Sequence, residues 1–238
     1  MPVFRSIVFS AVLAGLIVGA VISVAQFLGT VPLIQQSEVY ERKSAIATAA
    51  HEHGSATNDQ GKPHSHDSEW EPEEGFQRNA FTVAANILTA IGFALLLAGV
   101  YAIRGHAVTW REGLAWGLAG FIVFTAAPGL GLPPELPGMP VADLTARQTW
   151  WIATAAATAG GLYLLAFRAT ALAALLGLAL IALPHLIGAP LAPESHGDVP
   201  HALSQRFIVV VTLTSLLFWA LLGISTSIVY GRIARPQS

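Results

Sequence analysis

The sequence has 238 residues, 54% of them hydrophobic and 11% charged, with a net charge of −2 and a mean hydropathy of +0.60. Soluble domains carry about a quarter charged residues, so this composition excludes an ordinary soluble domain. Cysteine is absent. Disulfides and thiolate sites are therefore excluded, and any metal must be held by imidazole, carboxylate, backbone carbonyl, Met or water.

Six stretches contain no Asp, Glu, Lys or Arg: 6–37, 79–103, 113–134, 148–167, 169–193 and 207–231. About 20 helical residues cross the roughly 30 Å hydrocarbon core. The stretches are continuously apolar and rich in Ala and Leu, unlike the alternating strands of a barrel. The expectation is an all-α, polytopic membrane helix bundle with about six transmembrane helices, near 7–30, 80–103, 113–130, 149–167, 171–189 and 208–230. It forms a single membrane domain over 1–238. Arg5, Arg104, Arg111, Arg168, Arg232 and Arg235 fall in short segments on one side. The other six basic residues are spread over much longer segments on the opposite side. By the positive-inside rule, both termini are cytoplasmic.

The first span also reads as a signal peptide ending at Ser23-Val24-Ala25. The run stays uncharged to Ser37, which suits a retained helix better. After it comes an outer loop, 38–79, inserted between the first and second helices. It holds HEHGSATNDQGKPHSHD, with His51, His53, His64, His66 and Asp67. Imidazole suits Co, Ni, Cu and Zn, and carboxylates add oxygen donors. The tract reads as a metal-capture segment, against the plainer reading of a solvated acidic loop. Such a loop follows the Irving–Williams order and so cannot select cobalt by itself. Its imidazoles would protonate below about pH 6 and release metal.

The third span runs into TAAPGLGLPPELPGMP. Its prolines cannot continue a helix, and non-helical backbone at membrane depth is tolerated only against protein or a wet cavity. This element is expected to be broken, to line an opening at the outer mouth, and to carry Glu135 there. ADLTARQTWW follows, with Arg147 expected to pair with Asp143 or Glu135. Trp150 and Trp151 read as an interfacial anchor. The fifth span is expected to break at Pro184-His185. His185 is either a pathway residue or a structural hydrogen-bonder. The next outer loop supplies His196 and His201. Gly15 and Gly19, Gly113 and Gly117, and Gly160-Gly161 suit close helix contacts. Gln26 and Asn86 lie within spans as interhelical hydrogen-bonders or pathway ligands.

PLIQQSEVYE, PGLGLPPELPG, RQTWW and LPHLIGAP, in that order, resemble the CbtA family, predicted subunits of a bacterial cobalt transporter. The matching positions are Glu38, Tyr40, Glu41, Pro128 through Gly138 with Glu135, Arg147, Gln148, Trp150, Trp151 and His185. The resemblance implies a multi-pass subunit of the bacterial inner membrane for Co2+ uptake, linked to cobalamin biosynthesis. It also implies a small single-span, His-containing partner subunit, CbtB. The histidine tract matches no fixed motif of the family.

No Gly-x4-Gly-Lys-Ser/Thr phosphate loop and no nucleophile–base arrangement is present, so an enzyme is not expected. A dication moving inward gains about 4.6 kcal/mol per 100 mV of membrane potential, roughly a thousandfold concentration ratio. The expected function is a potential-driven permease subunit for divalent cobalt, the transported ion being cargo. Metal would contact His51, His53, His64, His66, Asp67, Glu135, His185, His196 and His201. A nickel or zinc permease subunit and a non-transporting metal-binding or sensor module remain the alternatives.

Overall fold

The computed structural model describes residues 2–52, 72–73, 75–193 and 199–234. Helices α1 (Pro2–Leu28), α2 (Thr30–Glu52), α3 (Phe76–Arg104) and α4 (Trp110–Phe121) come first. A π-helical turn (Ile122–Ala126) and the short α5 (Ala127–Gly131) complete the third span. Then come α6 (Leu144–Phe167), α7 (Ala171–Ile187) and α8 (His201–Ile233). The described residues contain no strand.

Among the described residues, five helical stretches are long and apolar enough to cross a membrane: Val3–Leu28, Phe76–Arg104, Trp110–Gly131, Leu144–Phe167 and His201–Ile233. The sixth expected span, α7, has 17 residues. At 1.5 Å per residue it is about 26 Å long, slightly short of the hydrocarbon core. Its exposed Leu172, Leu175, Leu176 and Leu178 suit a lipid-facing surface.

Local signals set the helix ends. Thr109 and Glu112 form a capping box at the start of α4, and Asp143 and Thr170 cap α6 and α7 through Ala146 N and Ala173 N. Each cap satisfies N–H groups that have no intrahelical partner.

One proline reading needs correction. The third span is interrupted, by the π turn that precedes Pro128; Pro128 then sits in the first turn of α5, where its missing N–H is tolerated. The helix ends after Gly131, close to the expected end of the span. By contrast α7 does not break at Pro184-His185: it runs through Pro184 and ends at Gly188, whose φ of +90° suits glycine. A proline near a helix end costs little, since only a few residues remain to be held beyond it. The outer segment 38–79 also begins as helix rather than loop, because α2 continues to Glu52. Its Ala-rich stretch from Ala45 to Ala50 favours helix.

Helix α1 lies against α3 and α8, and α8 also packs on α4. Ala11, Ala14, Val18 and Ile22 meet Ala90, Ala94, Leu97 and Leu222 in the core. The expected close contacts occur at Gly15, Gly19, Gly113, Gly117 and Gly161 but not at Gly160, where an added Cβ would meet only Leu180 at 3.8 Å. A Cβ on Gly15 or Gly19 would lie 2.7 or 2.6 Å from the Cα of Ile91 or Ile87, and one on Gly117 would lie 2.2 Å from the Trp219 carbonyl oxygen. The hairpin α6–α7 joins through Gly161 and Gly177 and meets the other helices chiefly through the π turn and α5. A second cluster, Leu33, Leu136 and Phe207, fastens the base of α2 to the Pro-rich loop and α8.

Candidate functional site

Of the openings at the end of the bundle where α1 finishes and α3, α6 and α8 begin, two have an ion pair on their walls. The first, of about 410 Å³, separates the α1–α2 junction from α3. Its walls follow from helical spacing. Thr30, Ile34, Glu38 and Arg42 recur every four residues along α2, and Gln26 borders the cavity from the last turn of α1. Residues four apart share a helix face. Arg78 and Thr82 repeat the spacing on the facing wall, and Asn86, one turn further along α3, continues it below the cavity.

Hydrogen bonds tie the two walls at both ends. At the rim, Arg78 Nη2 donates to Glu38 Oε1 at 2.5 Å. Deep in the spans, Asn86 Nδ2 donates to Gln26 Oε1 at 2.8 Å and to Ser23 Oγ at 3.1 Å. Ser23 Oγ in turn donates to the Gly19 carbonyl. This polarity ends at Gly19 and Gly15, whose close contacts with Ile87 and Ile91 close the seam toward the start of α1. Between the ends, Thr30 Oγ1 is buried and has no hydrogen-bond partner among the described residues.

The second opening, of about 890 Å³, lies beside the π turn and α5. Thr125, Glu135, Arg147, Gln148 and Thr212 supply its polar wall. Pro128 has no N–H to give to the turn before it, and the π turn is wider than an α turn there. Arg147 Nη2 donates to Glu135 Oε2 at 2.7 Å. Of the two acids expected for Arg147, Glu135 is therefore the partner, while Asp143 accepts from Ala146 N as a cap. Glu135 keeps its other oxygen, but its charge is offset by the guanidinium. Trp219 Nε1 donates to Thr125 Oγ1 at 3.3 Å beneath this opening, and its ring stacks on Phe124 with centroids 5.5 Å apart.

The model of one protein family, described as a probable cobalt transporter subunit (CbtA), matches residues 4–231, nearly the whole chain. The chain belongs to the CbtA family. No curated protein matches it, and no solved structure matches it. Family membership makes this a multi-pass membrane protein and a probable cobalt transporter subunit, which implies a partner protein and a divalent metal cargo.

In this CbtA chain three of the family-like motifs converge. A Cβ on Gly131 would lie 2.3 Å from the Trp150 ring and 3.0 Å from Ala189 Cβ, so PGLGLPPELPG, RQTWW and LPHLIGAP meet there. Trp150 Nε1 donates to the Pro184 carbonyl at 3.3 Å, which makes Trp150 a tie between α6 and α7 as well as a boundary residue. Trp151 meets Phe124 with centroids 6.1 Å apart. Half-buried His185 stands edge-on to Trp150, with centroids 5.9 Å apart.

The expected metal residues are not assembled into one centre. Among the described residues, no three of His, Asp and Glu gather to hold an ion. Glu135 faces the second opening, His185 stands against Trp150, and exposed His201 begins α8 near Gln205. His51 lies in the last turn of α2. His53, His64, His66, Asp67 and His196 lie outside the described residues. Sequence reasoning also missed the facing walls of the first opening. Their spacing of four was the available signal, hidden because Gln26 and Thr30 belong to an apolar run and Glu38 to a charged one.

Proposed function

We propose that the chain is the membrane permease subunit through which divalent cobalt enters the cell. The observation that carries the reading is the opening beside the interrupted third span, with Glu135 on its wall, in a chain of this family. Backbone at membrane depth departs from the α-helix where it borders a cavity. Capture falls to His51, His53, His64, His66 and Asp67 on the outer face. The ion then passes Glu135, His185, His196 and His201. The membrane potential drives inward flow, about 4.6 kcal/mol per 100 mV for a dication, without ATP hydrolysis. The setting is the bacterial inner membrane, the partner a small single-span His-containing subunit, and the cobalt serves cobalamin biosynthesis.

No carboxylate lies within any of the six uncharged stretches. A channel-like path would therefore use oxygens of the backbone, amides and hydroxyls, as filters do. The test is cell-associated Co, Ni, Zn and Cu by mass spectrometry. The cells lack their own uptake systems and express the chain with and without its partner. A cobalt rise that disappears when the membrane potential is collapsed is expected. A larger rise for Ni or Zn would reassign the cargo. No rise for any metal, with folded protein in the membrane, would refute the permease in favour of a metal-binding module.

A further inference from the structure

Away from both openings, α3, α4 and α6 border a further cavity of about 510 Å³. It reaches from Phe93, Phe124 and Trp219 to Arg104, the last residue of α3. Between Phe93 and Arg104 the helix rises about 17 Å at 1.5 Å per residue. That is about half the hydrocarbon core, the depth of one leaflet. Apart from Arg104, every lining side chain is apolar or aromatic, and Leu96, Tyr163 and Phe167 are exposed. The cavity follows from the way α6 is held. It meets the bundle through the π turn and α5, and its second half stands apart from α3. An apolar space offers water no partners, and an empty one forfeits dispersion contacts. In a bilayer the material at hand to fill it is a lipid chain.

The rim supplies charge. Trp116, Phe167 and Tyr163 adjoin in a row, with centroids 6.2 and 5.4 Å apart. The Arg104 guanidinium lies 5.7 Å from the centre of the Trp116 ring, and that of Arg168 lies 6.0 Å from the centre of the Tyr163 ring. The row therefore has a guanidinium at each end. Glu112 Oε1 is 3.7 Å from Arg104, too far for a hydrogen bond, and its Oε2 accepts from Thr109 N in the helix cap. A guanidinium fork matches phosphate oxygens with two parallel N–H groups. Trp and Tyr suit the headgroup level, with an apolar ring and a polar tip.

We propose that this cavity is a binding site for an anionic phospholipid. One acyl chain lies between α3 and α6, and the phosphate lies between Arg104 and Arg168. Basic pockets between transmembrane helices bind anionic headgroups. The lipid completes the packing of the α6–α7 hairpin, which carries Trp150 and His185, at the end where α6 stands off from α3. The site is independent of the uptake reading, since it needs neither cobalt nor a path.

A transmembrane helix of a partner subunit is the rival occupant. A helix with side chains is about 10 Å across, and about 17 Å of it fills roughly 1,300 Å³. That is more than twice the cavity, which fits a chain better than a helix.

Purified full-length protein in detergent is titrated with phosphatidylglycerol or with phosphatidylcholine of the same acyl chains. Bound lipid is measured by native mass spectrometry. Phosphatidylglycerol is expected to bind at least about fivefold more tightly, and Arg104→Gln and Arg168→Gln each to weaken it about fivefold. Ala159→Trp fills the cavity from an exposed position on the α6 wall and is expected to abolish that binding. Arg168 is exposed, so a loss in Arg168→Gln is read in folded protein even where Ala159→Trp fails to fold. Equal binding of the two lipids, or wild-type binding in either Arg variant, would overturn the proposal. So would full binding in folded Ala159→Trp. Loss of phosphatidylglycerol when the chain is purified with its partner subunit would assign the cavity to a protein helix instead.

Discussion

Gly160 and Gly161 are adjacent, and replacing each by Ala should have opposite effects. Both substitutions gain helix propensity, about 1 kcal/mol over Gly in a helix interior. Their surroundings differ. A Cβ on Gly160 meets only Leu180 Cδ1, at 3.8 Å, an ordinary contact. A Cβ on Gly161 would lie 2.6 Å from both the Gly177 carbonyl oxygen and Ile181 Cγ1. Ordinary contact starts at 3.4 Å, so backbone of α7 must retreat by most of an ångström. Overpacking of this kind costs about 1–3 kcal/mol. Gly160→Ala should therefore stabilise by up to about 1 kcal/mol. Gly161→Ala should lie about 1–3 kcal/mol below it, a roughly five- to 150-fold difference in the unfolding equilibrium. Reversible unfolding of the two variants in the same detergent measures the difference directly, with propensity cancelling. Equal stabilities, or Gly161→Ala the more stable, would refute the close α6–α7 packing. The positions of Trp150 and His185 depend on that packing.

Asn86→Leu removes two interhelical bonds inside the membrane. At about 0.6 kcal/mol each, it should destabilise by about 1 kcal/mol in the same unfolding assay; no change would mean that the seam does not fasten α1 to α3. His185→Ala should lower cobalt uptake even at saturating metal, and full activity there would place the pathway elsewhere. Changing His51, His53, His64 and His66 together to Ala should reduce uptake mainly when cobalt is scarce. Unchanged initial rates at nanomolar cobalt would remove the capture role.

Much was legible in the sequence because lipid is a demanding solvent. Charges are expelled from spans, so five of the six expected spans appear as long apolar helices and the sixth as the shorter α7. The glycine pairs were legible for a related reason, since small residues let helices approach. Other features depended on partners remote in the chain. The sequence left Arg147 with two acids in reach, and only the fold gave it Glu135 while Asp143 became a cap. It marked Gln26 and Asn86 as either fasteners or ligands, and the structure joins them across sixty residues of chain. It placed a break at Pro184-His185, where α7 in fact continues to Ile187, because the distance to the helix end decides how much a missing N–H matters. It named Glu135, His185 and His201 along one path, and whether they gather round an ion is a matter of packing; among the described residues no three such side chains do. Hydropathy is a property of each segment alone and survives in one dimension. A cavity, an ion pair or a site exists only between segments, and for those the tertiary packing decided.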